Sequence, residues 1–185
     1  MPSEIPPPPT DLLLRLPDWP LPSYRFVPGL NPHPFRHPEG HLYTDGSAPE
    51  EEIWDSDLSW EQDRHWLRGL DLFDHRFYWE AHEVWEDAWH QVPRNTSYSK
   101  LLQGLIKISA YLLKVHLGHA RAAQSLKVVA LAYIDQARTT KGRHYRGMDL
   151  QDFVVQVRTF ETNGRWPLCI KRSPTPGEPD SDPNP

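Results

Sequence analysis

The chain has 185 residues, enough for one domain with a hydrophobic core. Its 20 Lys and Arg are scattered among 25 Asp and Glu, for a net charge of -5, which excludes the basic stripe typical of nucleic-acid-binding proteins. A single cysteine excludes an internal disulfide, and no stretch approaches the roughly 18 to 20 apolar residues of a membrane span. We therefore expect a cytoplasmic protein that binds neither nucleic acid nor membrane.

The distribution of proline divides the chain. Thirteen of the 20 prolines lie in residues 1–49, and only Pro93 lies between 50 and 166. Because proline disrupts helix interiors, the middle of the chain can be helical and the flanks cannot. We predict a disordered proline-rich leader over 1–18, an ordered irregular arm over 19–49, a helical domain over 50–166 and a flexible tail over 167–185.

Apolar residues at helical spacing recur along the middle of the chain. The predicted helices cover 60–73 with Ser59 as the cap, 77–90, the stretch from the polar residues 95–99 to Gly118, 120 to about 137, and 149–160 with Asp149 as the cap. No strand pattern of useful length and no repeat is visible. The expected fold is all-α, a compact array of four to five helices with an irregular proline-rich N-terminal arm and a disordered C-terminal tail.

The second predicted helix contains the stretch WEAHEVWEDAW. At 100° per residue its apolar side chains share one sector, and His82 and Glu86 lie at the border of that sector, next to Trp89. A partly buried carboxylate needs a cation, a hydrogen-bond donor or a metal. The third helix offers Gln103 and Lys107 on one stripe, so we expect a polar contact between the two helices.

The spacing of His82, Glu83 and Glu86 resembles half of the zinc-protease pattern H-E-x-x-H, with a glutamate in place of the second histidine. Glutamate can bind zinc, iron or manganese, so His82 and Glu86 are candidate ligands of a divalent metal ion. The third and fourth helices contain no Glu, which argues against a di-iron bundle. Three further histidines lie in the arm and would meet His82 if the arm folds over the helices: His33, His37 and His41.

Two motifs, LFDHRFYWEAHEVWEDAW and LLQGLIKISAYLLKVHLG, resemble the signature of the domain of unknown function 309 family over about residues 58–160. The stretch FVPGLNPHPFRHPEGHLY looks like the N-terminal extension of a longer branch of that family. The resemblance implies a small, all-helical, cytosolic domain of prokaryotic type, and it implies no established activity. It carries over these characteristic positions: Glu80, His82, Glu83, Glu86, Trp89, Gln103 and Gly104.

Two residues depart from the family pattern at the turn before the second helix. Arg76 stands where the family usually has Gly, and if the turn needs a positive φ, arginine adopts it with some strain. Asp74 stands where the family has Asn, and it would add a carboxylate near the cluster, which favours a cation there.

Two hypotheses follow. The first is a ligand-binding or metal-assisted hydrolytic site for a small molecule between the second and third helices, roofed by the arm, with His82 as general acid/base and Glu83 and Glu86 as orienting carboxylates or metal ligands. Its substrate-binding residues would be Glu80, Trp89, Gln103 and Lys107.

The second hypothesis is a non-enzymatic helical protein–protein interaction module. In this module the cluster is a structural ion-pair network, and the tryptophan-rich surface or the arm binds another protein. The sequence leaves both hypotheses, and the oligomeric state, open.

Overall fold

The structure, a computed structural model, describes residues 5–7, 12–45 and 58–169. Its helices are α1 Arg64–Asp74, α2 Tyr78–Gln91, α3 Ser97–His116, α4 Ala120–Lys141 and α5 Leu150–Asn163. Within these ranges the only strands are β1 His144–Tyr145 and β2 Met148–Asp149, which pair antiparallel between α4 and α5. The predicted all-α fold is confirmed. The disorder predicted for the tail falls largely on residues 170–185, which lie outside the described ranges.

The start of α1 differs from its prediction. The helix begins at Arg64, and Asp63 rather than Ser59 caps it, because the Asp63 carboxylate accepts the backbone N–H of Trp66 at 2.8 Å. Residues 60–62 form a turn instead of a helical start. Two candidate caps lie close together in the sequence, and the carboxylate is the one that reaches a free N–H of the first turn.

The last two helices follow the sequence signals more closely. The end of α4 lies beyond the predicted Ala137, because the basic turn that follows is itself helical, and Gly142 ends it with a φ of 89°. Asp149 caps α5 as predicted, and its side chain accepts the N–H of Asp152 at 2.9 Å.

The core is built around α3, which packs between α2 and α4, while α1 packs on α2. Gly104 allows a close approach of α4, because a Cβ at this position would lie 2.5 Å from Cγ1 of Ile134. The largest fully buried side chains are aromatic: Trp66, Trp85, Tyr78, Tyr111, Phe73 and Phe153. Most aromatic residues of the helices are therefore core.

The turn between α1 and α2 has a positive φ at Arg76, the position where the family pattern usually has Gly. Arg76 has a φ of 68°, in the left-handed region that costs a non-glycine residue roughly 1 kcal/mol or more. Its guanidinium donates to the carbonyl of Pro7. The arginine therefore combines a strained turn with a contact to the N-terminal segment.

Part of the leader, for which we predicted disorder, contacts α1. The backbone N–H and the guanidinium of Arg15 both bind the carboxylate of Asp71, the latter at 2.8 Å, and the guanidinium also binds Asp74 at 2.6 Å. Leu16 is buried, and its N–H donates to Asp71 at 3.0 Å. The physical reason is that two buried carboxylates, one turn apart on α1, require a cation and N–H donors.

The described part of the arm, residues 19–45, contains turns and no helix or strand. It begins on α1, where Arg68 donates to the carbonyl of Trp19 at 2.7 Å and lies over the Trp19 ring at 5.1 Å. It then crosses α2, where Phe26 is buried. The arm therefore lies beside the N-terminal half of the helix that carries the predicted site.

Candidate functional site

One group of side chains in the described part of the chain has the composition and spacing of a metal site: His82, Glu83 and Glu86. One potential ligand atom from each lies within 4.8 Å of the others, and all three residues are half-buried. They come together because residues one turn apart on an α-helix are neighbours on its surface. The predicted ligand pair His82 and Glu86 is thus joined by Glu83 on the outer side of α2.

The ring of His82 is oriented by α3. Its Nδ1 lies 3.2 Å from the carbonyl oxygen of Ile106, and because a carbonyl only accepts, Nδ1 must carry the proton. When the imidazole is neutral, Nε2 therefore has a free lone pair, and this atom lies 3.6 Å from Oε2 of Glu86. A backbone carbonyl behind a histidine is a common arrangement in metal sites. It has no sequence signal, because any residue at position 106 supplies the same carbonyl.

The electrostatics of the cluster are unfavourable for its carboxylates. Partial burial, together with the nearby charges of Glu86 and Asp87, raises the pKa of Glu83 to about 7. Three acidic side chains on one side of α2 repel one another, and no cation within the described residues forms an ion pair with Glu83. A bound cation would relieve this repulsion.

The helix α3, whose Ile106 carbonyl contacts His82, carries two of the predicted substrate-binding residues. Gln103 is half-buried, and its Oε1 atom has no hydrogen-bond partner among the residues that the structure describes. Lys107 follows Ile106, the residue whose carbonyl contacts His82, and it is also half-buried. Both residues therefore lie within one turn of Ile106 along α3.

Trp89, another predicted substrate-binding residue, packs against the core and against Arg94. Its ring packs at the edge of the core, its Nε1 atom is buried without a partner in the described part of the chain, and the guanidinium of Arg94 lies 3.5 Å from the ring centroid. The indole is therefore covered by Arg94 from the loop before α3. Among the described residues, nothing joins Trp89 to the three clustered side chains by a hydrogen bond.

Glu80 does not join the cluster. Its side chain is buried, Oε1 accepts the backbone N–H of Phe26 at 2.8 Å, and Nε2 of His41 lies 3.7 Å from the same oxygen. Burial raises the pKa of Glu80 to about 7, although the Phe26 N–H acts in the opposite direction. The carboxylate of Glu80 therefore contacts the arm, whereas Gln103 and Lys107 lie on α3.

The arm histidines do not reach His82 in the described structure. His41 contacts Glu80, and the His33 ring lies 5.8 Å from the ring of Trp79. His37 is exposed, and its Nδ1 accepts the backbone N–H of Glu39 at 3.1 Å. The arm therefore meets α2 on the side of Glu80 and Trp79, one turn before the cluster.

Asp74 also lies away from the cluster, contrary to our expectation. Its carboxylate binds the guanidinium of Arg15 and the backbone N–H of Cys169, each at 2.6 Å. The cation that this carboxylate favours is thus an arginine of the leader. The spacing of Asp71 and Asp74 on one helix face is the signal that could have predicted such a partner.

Comparison with known proteins gives one match. A sequence model of the family described as "Domain of unknown function (DUF309)" matches residues 66–126, about a third of the chain. This segment contains α2 with its cluster and all of α3, is narrower than the resemblance over 58–160, and does not include the arm. No curated protein and no solved structure matches the chain. Among the described residues, no helix has the length and apolar character to cross a membrane.

Proposed function

We propose a function from the geometry of the cluster, because the family whose model matches residues 66–126, the domain of unknown function 309 family, is described without an activity. His82, Glu83 and Glu86 bind a divalent metal ion, and this half-buried cluster on α2, beside α3, is a ligand-binding, metal-assisted hydrolytic site. The preferred ions are zinc, manganese and iron(II).

The donor set suits these ions. One imidazole nitrogen and two carboxylates are ligands that zinc, manganese and iron(II) accept. Three protein ligands leave coordination positions for water or substrate, as in catalytic rather than structural zinc sites. The half-buried position of the three residues allows a small molecule to reach the ion from the solvent side.

The orientation of His82 is the observation that carries the proposal. With Nδ1 donating to the Ile106 carbonyl, the lone pair of Nε2 is directed away from α3 and lies beside the Glu86 carboxylate. In the absence of a cation, a lone pair and an anionic oxygen would face one another at 3.6 Å, unless the imidazole carries a second proton. A metal ion bound to both atoms removes this conflict.

The chemistry expected of such a site is hydrolysis of a small polar compound, because a bound divalent ion activates water and polarises a carbonyl or phosphoryl oxygen. Gln103 and Lys107 would contribute hydrogen bonds and a positive charge to the ligand from α3. Their role is to bind and orient the substrate, whereas the α2 side chains hold the ion.

The first experiment is metal analysis of protein purified without chelator, together with thermal melts in added zinc, manganese and iron(II). We expect close to one ion per chain, and stabilisation of about 2.7 kcal/mol at a free metal concentration a hundred times the Kd. His82→Ala should abolish both effects. His90→Ala is the matched control, since His90 is an exposed histidine two turns along the same helix.

Absence of bound metal, with melts that no ion shifts, would contradict the proposal and favour the alternative. In that case His82 and Glu86, an i, i+4 pair, would be a structural ion pair in a protein–protein interaction module. The tryptophan-rich surface that this alternative invoked has little exposed area: Trp66 and Trp85 are fully buried, and Trp79 and Trp89 pack against the core. An interface of that kind would therefore have to use the arm.

A further inference from the structure

We propose that Glu80 is a positioning residue, which holds the arm on α2 so that the docked arm fixes the turn of α2 that carries His82 and Glu83. This inference rests on the proposed metal site for its functional consequence. Glu80 itself does not bind the ion.

The Glu80 carboxylate is an unusual group to find at this contact. Its side chain is only 4% exposed, and it receives the main-chain N–H of Phe26, a residue 54 positions earlier in the chain. A buried carboxylate is costly unless hydrogen bonds satisfy it, so the arm and Glu80 depend on one another. Removing the carboxylate would leave the Phe26 N–H without an acceptor.

A second part of the arm reaches the same carboxylate. The His41 side chain is 6% exposed, and its Nε2 atom lies 3.7 Å from Oε1 of Glu80. The Tyr24 ring packs against the His41 ring, with the centroids 4.5 Å apart. The two contacts are joined within the arm, because the backbone N–H of His41 donates to the hydroxyl of Tyr24 at 3.4 Å. Glu80 therefore contacts both ends of one compact loop.

The docked loop encloses Trp79, the neighbour of Glu80. The rings of Phe26, His33 and Phe35 lie with their centroids 5.0, 5.8 and 5.7 Å from that of Trp79. Trp79 lies one turn before His82 and Glu83, so its immobilisation limits movement of the same part of the helix.

The start of α2 needs this support. Its N-cap residue is Phe77, and no side chain caps the helix, so the N–H groups of the first turn lack the usual acceptor. A helix end without a cap frays more readily, and Trp79 and Glu80 are in its first turn. Docking of the arm thus holds in place the turn from which His82 and Glu83 project, which is the preorganisation that a tight metal site requires.

Two substitutions of Glu80 separate docking from simple loss of the side chain. E80A removes the acceptor for the Phe26 N–H, whereas E80Q keeps an oxygen there and a donor that can face His41. We expect E80A to speed amide hydrogen exchange of residues 24–43 about tenfold, measured without metal. We also expect it to weaken Mn²⁺ binding about tenfold, the usual effect of losing an outer support of a metal ligand. E80Q should remain close to the wild type in both measurements.

Phe35→Ala provides a second variant if E80A does not fold. Phe35 lies in the arm and is exposed, so its removal should not disturb the core, and its ring contacts Trp79. It should change both quantities in the same direction as E80A. Unchanged exchange in the arm would overturn the docking role of Glu80, and a loosened arm with unchanged Mn²⁺ affinity would overturn its link to the site. A wild-type protein that binds no Mn²⁺ would overturn the proposed function and that link, while the exchange data would still decide whether Glu80 holds the arm.

Discussion

At the scale of single residues, neighbours in the sequence motif have different partners in space. Glu80 and His82 are two positions apart, which is 200° around an α-helix, so one side chain contacts the arm while the other contacts α3. Glu83 and Glu86 remain on the side of His82. A motif read as one acidic and histidine-rich unit is therefore two sites, one for the arm and one that we propose for a metal.

Asp149 shows how one carboxylate acts twice at a helix start. It caps α5, and it also accepts a hydrogen bond from Arg143 at 2.8 Å, which holds the pKa of Asp149 below its ordinary value of 3.8. Because the folded-state pKa is lowered, the stabilisation is complete above pH 3.8 and is lost as the pH falls through the folded-state pKa.

We expect Asp149→Asn, which keeps a capping oxygen but removes the charge, to lower the free energy of unfolding by up to about 1 kcal/mol at neutral pH. The difference from the wild type should persist down to about pH 3.8 and shrink as the pH falls below that value. Asp149→Ala should cost about 1 kcal/mol more at every pH, because the cap is also lost. Urea unfolding across this range measures both effects, and a difference between wild type and Asp149→Asn that does not change with pH would contradict the assignment.

At the scale of elements, the position of α3 between α2 and α4 decides the geometry of the candidate site. Its α2 side supplies the Ile106 carbonyl that orients His82, and its α4 side depends on the absence of a side chain at Gly104. Since Gly104 and Ile106 are close on one helix, a shift of α3 away from α4 would also move the carbonyl. The packing of α3 on α4 therefore affects the orientation of His82 in the cluster on α2.

We expect Gly104→Ala to destabilise the protein by about 1–3 kcal/mol, because the new Cβ would overlap Ile134 and approach the Ala130 carbonyl. Combining it with Ile134→Ala should cost less than the sum of the two single changes, with a coupling of about 1 kcal/mol. Val129→Ala is the control partner, since Val129 is exposed on the same helix and should be additive with Gly104→Ala. Denaturant unfolding of the cycle tests this, and strict additivity with Ile134→Ala would rule out the steric account.

At the scale of the whole molecule, the two ends of the described chain meet at α1. Asp74 binds Arg15 from the leader and the N–H of Cys169 from the segment after α5, and Asp71 binds Arg15 and Leu16. Both carboxylates are buried, so these contacts are needed to compensate for their desolvation. The stretch that contains Arg15 and Leu16 is thus part of the folded unit.

Two N-terminal truncations test this. Removal of residues 1–11 keeps Arg15 and Leu16, and we expect it to cost about 1–2 kcal/mol, chiefly through loss of the buried Ile5. Removal of residues 1–18 leaves two buried carboxylates without their arginine, and we expect a further loss of about 3–5 kcal/mol. Arg15→Ala in the full chain should reproduce most of the second step. Equal stability of the two truncated chains, measured by urea unfolding, would show that Arg15 contributes little.

The helices, the cap at Asp149 and the nearness of His82 to Glu86 could be predicted from the sequence. All three depend on interactions within a few residues, which helical spacing and cap chemistry describe. Predictions that required distant segments were less accurate. Disorder was predicted where Leu16 is buried, and Asp74 was placed near the cluster.

The sequence by itself determined the all-α fold and the local composition of the cluster, because periodicity and capping act along one segment. Only the tertiary structure decided which partner each polar side chain has: the arm for Glu80, the leader for Asp74 and a backbone carbonyl of α3 for His82. The reason is that burial obliges a polar group to find a partner but does not specify which one. That choice depends on which segments the packing of the helices brings together.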